Sequence, residues 1–164
     1  MPSAGRIALQ ALARLLRAET GIPAAVTAVS REERTPLDPI TYDQIITQQL
    51  GSDIAESGPG VKYPALYLYC DKLTNSLHEK FRRFSGTVDL TIEIRVTHDR
   101  AETLLDAVHL YVDATSRVLD QIRGAWGDGI FFGGEYTVTF ANTRKGGRHY
   151  LQSAKISLPV HVTF

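Results

Sequence analysis

Apolar and polar residues alternate strictly through SGTVDLTIEIRV at 85–96, with Val88, Leu90, Ile92, Ile94 and Val96 on one side and Thr87, Asp89, Thr91, Glu93 and Arg95 on the other. A side-chain period of two is that of a β-strand with one face on a core, so its polar face must meet water, a ligand or another subunit. Nearer the N-terminus the period changes. Ile7, Leu9, Leu12, Leu15 and Leu16 recur at helical spacing among Arg6, Arg14 and Arg17, and Gly21 with Pro23 supplies a stop. This predicts an amphipathic helix over 5–20. IPAAVTAVS, at 22–30, reads as a short strand. Residues 31–60 are polar, contain Pro36, Pro39 and Pro59, and show weak periodicity. They predict a long excursion with room for a short helix around 42–50, and such excursions usually bind something or dock on a neighbour.

Beyond residue 62 the pattern sharpens. YPALYLYC reads as a strand with Tyr63, Ala65, Tyr67 and Tyr69 on one face and Leu66, Leu68 and Cys70 on the other, both covered. In HDRAE, Asp99 and Glu102 have the spacing of a capping box and predict a helix start. That helix, about 100–123, carries Ala101, Leu104, Leu105, Val108, Tyr111, Val112, Thr115, Val118, Leu119 and Ile122 at three-four spacing, with Gly124 as its end. EYTVTFAN and KISLPVHVTF alternate on either side of the tight turn TRKGGRHY and predict a hairpin. The fold class expected is α+β: an antiparallel sheet of about four strands packed on the long helix, with an N-terminal amphipathic helix and the excursion before the sheet. Thr87, Asp89, Thr91, Glu93 and Arg95, with Thr137, Thr139, Ser157 and His161, are then expected to face away from the core and to be wet.

Composition narrows the function classes. A chain of 164 residues, 43% hydrophobic and 22% charged, is expected to form a single domain over 1–164. Lys plus Arg equals Asp plus Glu at 18 each, which lacks the basic excess of a dedicated nucleic-acid binder. The single cysteine, Cys70, excludes an internal disulfide and a multi-cysteine zinc site; in its apolar run it reads as a reduced core thiol. No segment has the roughly 20 apolar residues of a membrane span, and the N-terminus has no continuous apolar block, so a soluble chain without a secretion signal is expected. The five histidines, His78, His98, His109, His149 and His161, include no i, i+4 pair that would place two imidazoles on one metal. Asp99 is accounted for as a cap, and Asp106 and Asp113 fall opposite the apolar stripe. The glycines of GAWGDGIFFGG open a strand, whereas a phosphate-binding loop opens a helix. Ser85 with Gly86 and Ser57 with Gly58 lack the strand-turn-helix context of a nucleophile elbow. No catalytic residue, cofactor or metal is expected.

Two features remain. LHEKFRRF places Lys80, Arg82 and Arg83 around Phe81 and Phe84. It reads either as a satellite core under a solvated basic edge or as an arm that inserts an aromatic ring into a neighbouring subunit. RKGGRHY, with Arg144, Lys145 and Arg148, reads either as a plain basic turn or as a contact with an acidic partner or a phosphate backbone.

KFRRFSGTVDLTIEIRVTHDRAE, the helix ending VLDQIRG, WGDGIFFGGEYTVTF and the KGG…LQSAKISLPVHVTF finish together resemble the tail-terminator, or tail-completion, proteins of long-tailed bacteriophages. The likeness runs from about residue 63 to the C-terminus, and the 31–60 excursion lies outside it. The resemblance implies a non-enzymatic structural virion protein that forms a hexameric ring, caps the tail tube, ends its elongation and offers the head-tail joining surface. Its location would be the head-proximal end of the tail, after assembly in the host cytoplasm. Implied partners are sister copies, the tail tube protein, a head-completion or neck protein, and DNA passing through the pore without sequence-specific binding; no membrane is involved. On this reading Phe81, Arg82, Arg83 and Phe84 are subunit-interface candidates. Asp89, Glu93 and Arg95 would face the pore or the inter-subunit groove, and Arg144, Lys145 and Arg148 would contact a partner. The alternatives are a head-side neck adaptor and a small cellular ligand-binding or interaction domain, the ligand-binding form needing a pocket such as one ringed by His98, Asp99 and His149.

Overall fold

The Ser3 side chain accepts the Arg6 N–H at 3.2 Å and opens helix α1 (Ala4–Arg17) in the computed structural model, which describes residues 3–48, 62–76, 80–146 and 148–164. Its inner face is Ala8, Ala11, Leu12 and Leu16. At Gly21 a Cβ would stand 2.6 Å from the Leu15 and Leu16 carbonyl oxygens, so only glycine fits the tight turn that follows.

Residues 22–30, expected as a strand, belong instead to helix α2 (Ile22–Glu32). The spacing explains the correction. Ile22, Val26 and Val29 recur at i, i+4 and i+7 and are all buried, and Pro23 in the first turn has the fixed φ that suits a helix start. The β-propensity of two valines is outweighed by burial of that stripe against helix α3 (Ala101–Gln121).

The described part of the excursion carries regular structure at 42–46. A short 3-10 turn (Tyr42–Gln44) is closed by reciprocal bonds between Thr41 and Gln44 and leads into strand β1 (Ile45–Ile46), where the sequence left room for a short helix around 42–50. Arg17 holds this segment to α1: its Nε donates to the Ile45 carbonyl at 3.0 Å and its guanidinium lies 4.6 Å from the Tyr42 ring centre. The part of the excursion at 49–61 lies outside the described residues.

The remaining strands are β2 (Ala65–Asn75), β3 (Ser85–His98), β4 (Gly124–Gly127), β5 (Ile130–Phe132), β6 (Thr137–Phe140), β7 (Arg144–Gly146) and β8 (His149–Thr163). They form one curled sheet in the order β1-β2-β3-β8-β5-β4, and β6 and β7 also pair with β8. The fold is α+β. It departs from four antiparallel strands on one helix in three ways, each with a local cause. β1 runs parallel to β2, through Ile45 opposite Leu66 and Ile46 opposite Tyr67. The 15-residue β8 is long enough for β5, β6 and β7 to pair in succession along its outer edge. Cover of the sheet is shared, with α3 over β3 and β8, and α1 over β2 and β3.

Register puts the apolar residues together. Leu68 faces Ile92, Ile92 faces Ile156, Ile94 faces Ala154, and Leu90 faces Leu158, all fully or almost fully buried. Each large aliphatic side chain buried this way stabilises the fold by about 1.5–3 kcal/mol before entropy is counted. A bulge between Cys70 and Lys72 leaves Asp71 without a cross-strand partner and shifts the register, after which Lys72 faces Asp89. Beyond it the side chains at 71–75 are all exposed. At Gly86 a Cβ would collide with the Thr74 carbonyl oxygen, so glycine is required where β2 and β3 cross closely.

Helix α3 keeps most of its expected stripe, with Leu104, Val108, Tyr111, Val112, Thr115, Val118 and Leu119 buried. Leu105 is 46% exposed and Ala114 takes a core place instead. The expected Asp99 cap is corrected as well: no side chain caps α3, whose N-cap residue is Arg100. The Arg100 N–H donates to His98 Nδ1 at 2.9 Å, and Asp99 Oδ1 lies 2.9 Å from the same nitrogen. Only one of these contacts is a hydrogen bond at a time, because a protonated Nδ1 cannot accept. The imidazole, two residues before the N-cap, thus closes the turn that leads into the helix and does not cap it.

Candidate functional site

Three surfaces carry the residues singled out by sequence. The first is the polar face of β3. Its open part is Thr87 and Asp89, half-buried, continuing into exposed Thr137, Thr139, Ser157 and His161. The middle is covered, contrary to the expectation of a wet face: Thr91, Glu93 and Arg95 are 4%, 9% and 2% exposed. Arg95 donates to Glu93 Oε2 at 2.9 Å, and its guanidinium carbon lies 4.3 Å from the Tyr67 ring centre. The cause lies in the neighbouring strand. Tyr67 is the cross-strand partner of Glu93 and Tyr69 of Thr91, so two long aromatic side chains flank β3 on this face. Tyr69 is drawn into the same group. Burial pushes its phenol up, the Glu93 carboxylate adds to that shift, and the Lys155 ammonium on β8 opposes it.

The covering was readable from β2, whose two faces were both assigned as covered. A strand sealed on its Tyr67 side passes that cover to the strand beside it.

The second surface is the turn between β2 and β3. The four interface candidates divide. Phe84 is buried in the main core, its ring stacked on Phe164 with centres 6.2 Å apart, and the two backbones exchange hydrogen bonds at 3.1 and 3.0 Å. It belongs to the core rather than to an arm, and that core is the main one, not a satellite. Phe81 is 99% exposed, and Lys80, Arg82 and Arg83 are exposed beside it. A rigid anchor at Phe84 thus holds out an unsheltered phenyl ring among three cations. Its neighbours Leu77, His78 and Glu79 lie outside the described residues.

The third surface is the other end of β3. A cleft of about 460 Å³ opens between the last residues of β3, the first turns of α3 and the segment at 35–38. Leu37, Val96, Ala107 and Tyr111 supply apolar wall, and Asp38, Glu102 and Asp106 are exposed carboxylates of its lining, which contains neither Lys nor Arg. His98 reaches the cleft, whereas Asp99 and His149 are not among its lining residues, so this cleft is not the pocket described for the ligand-binding alternative. The basic turn candidates Arg144, Lys145 and Arg148 are exposed and lie at this same end of the sheet, beside the start of β8.

Tyr111 ties the cleft wall together, its hydroxyl donating to the Asp38 carbonyl at 2.7 Å. Burial pushes the phenol far above its usual range and the Asp38 charge adds to the shift, while the hydrogen bond opposes it. A folded-state pKa raised above that of the unfolded chain gives stability that is complete below about pH 10 and is lost as pH rises beyond it. Tyr111→Phe is therefore expected to cost about 1 kcal/mol at neutral pH and to make the decline above about pH 10 shallower. Urea midpoints measured for both proteins on either side of that pH check it; parallel declines would show that Tyr111 is not the group responsible.

Among the described residues no cluster of three or more His, Cys, Asp or Glu side chains has metal-binding geometry. Within the same residues no helix is long and apolar enough to cross a membrane. Cys70 is half-buried beside Gly5, and burial raises its thiol pKa, which disfavours the reactive thiolate. No family model matches this sequence, and no curated protein matches it.

Proposed function

We propose that this chain is a structural virion protein of a long-tailed phage, whose copies close into a ring on the tail tube, end its elongation and present the head-joining surface. The observation that carries the proposal is Phe81, 99% exposed and flanked by Lys80, Arg82 and Arg83 on a turn anchored by Phe84. A single protomer gains nothing by holding a phenyl ring in water, whereas an aromatic side chain beside arginine is a common anchor of protein interfaces. The resemblance of residues 63–164 to tail-terminator proteins supports the ring, as does the small α+β fold.

In such a ring, burial removes Glu93 and Arg95 from the pore lining, and the bore-facing role passes to the open part of the sheet, Asp89 with Thr137, Thr139, Ser157 and His161. A surface of hydroxyls with one carboxylate avoids the strong attraction that a basic wall has for phosphate. Arg144, Lys145 and Arg148 contact the tube or a neck protein.

Light scattering and negative-stain images of the purified protein test this, alone and with its tail tubes. Rings are expected for the wild type, with co-sedimentation on tubes, and Phe81→Ala is expected to stay folded and lose the rings. Strictly monomeric protein even beside tubes would reject the reading. Rings that ignore tubes and bind the head-side adaptor would move the protein to the other side of the junction.

A further inference from the structure

The structure contains a plug and a socket at opposite ends of one strand. The plug is the arm at 80–83, with Phe81 exposed among Lys80, Arg82 and Arg83, immediately before β3 begins. The socket is the cleft of about 460 Å³ where β3 ends, with apolar wall from Leu37, Val96 and Ala107 and carboxylates from Asp38, Glu102 and Asp106. The chemistry matches in both components: a phenyl ring for apolar wall, and three cations for three anions. The volume lies within the range of ligand-sized pockets and admits a phenyl ring with an adjoining guanidinium. The arm cannot serve the cleft of its own protomer, because the 14 residues of β3 separate them by roughly 40 Å at about 3.3 Å per residue.

We infer that the arm at 80–83 of one copy docks in the acidic cleft of the next, Phe81 against Val96 and Ala107, and the cations against Asp38, Glu102 and Asp106. The occupant of the cleft is thus a second copy of this chain. The inference rests on the self-assembly proposed above and specifies its contact. Because plug and socket are different patches, each docked pair retains one unfilled socket and one undocked plug, and addition continues until the chain of copies closes on itself.

Two variants with complementary defects test it. Phe81→Ala lacks the plug and keeps the socket; Asp38→Lys with Asp106→Lys lacks the socket and keeps the plug. Asp38 and Asp106 are exposed, so both proteins should unfold at the wild-type urea midpoint, and the milder pair Asp38→Asn with Asp106→Asn serves if the lysines disturb α3. Each variant alone is expected to associate at least about 30-fold more weakly than wild type, the effect of losing one interface hot spot. Mixed at equal concentration, they should form a one-to-one heterodimer by sedimentation and nothing larger, since each can supply only one half of the contact. Arg6→Glu, a charge reversal at an exposed position of α1 outside both patches, should assemble as wild type does. Variants that stay monomeric when mixed, while the wild type forms rings, would overturn the plug-and-socket contact and leave the ring reading standing. Wild-type assembly that stops at two copies, or equal loss in the Arg6→Glu variant, would also overturn it. A wild type that never associates would remove both.

Discussion

Replacing Arg95 with Ala is expected to lower the unfolding free energy by about 3–5 kcal/mol, the range for breaking a buried ion pair from one side. Arg95 is 2% exposed, holds Glu93 at 2.9 Å and stacks over Tyr67. Truncation removes the partner but leaves the Glu93 carboxylate at 9% exposure, where its desolvation has no compensation. Two effects add: the stranded charge, and the lost cover of Tyr67. Replacing both partners with apolar residues, Glu93→Leu with Arg95→Met, should recover most of the loss, because the stranded charge is the larger effect. Urea denaturation of the wild type and the two variants separates the cases. An Arg95→Ala protein with wild-type stability would mean that water reaches this face freely, and would return Glu93 and Arg95 to the pore-lining set.

Phe84→Ala is expected to lose about 3 kcal/mol or more, whereas Phe81→Ala should change stability by no more than about 0.5 kcal/mol. The two residues are three apart in a single basic turn and differ in what surrounds them. Phe84 belongs to the core and stacks on Phe164, so its loss opens a cavity and loosens the C-terminal residue. Phe81 touches water in the protomer, so its loss removes nothing from the folded state. Thermal and urea unfolding give the stability difference, and light scattering gives the assembly difference. Equal stability losses would show that Phe81 is folded into the protomer, and would remove the arm as an interface.

The long amphipathic elements were legible in the sequence because their burial is decided locally: α1, β3, α3 and β8 each carry enough periodic residues to fix a face. Helix α2 was misread because the two valines and their small or β-tolerant neighbours in IPAAVTAVS fit either period, and only the partner α3 decides between them. Strands β4 and β5 were missed because four and three residues among glycines carry no measurable alternation; β5 is placed by pairing with the end of β8, and β4 by pairing with β5. The candidate site divides along the same line. An exposed Phe81 and a buried Phe84 cannot be told apart in FRRF until Phe164 arrives from the far end of the chain. Alternation in β3 gave its polar set correctly but not its cover, which depends on Tyr67 and Tyr69 one strand away. The cleft was invisible, being built from three segments that meet only in the folded chain.

The bulge at Cys70 and Lys72 has a consequence for colloidal behaviour. Among the described residues, β1 shields the outer margin of β2 at only two positions, and a long margin of unshared peptide groups is a template for fibrillar stacking between molecules. An unpaired Asp71, a Lys72 and a local twist make flat stacking on that margin unfavourable. Deleting Asp71 and replacing Lys72 with threonine should therefore give a protein that still folds and turns turbid on concentration.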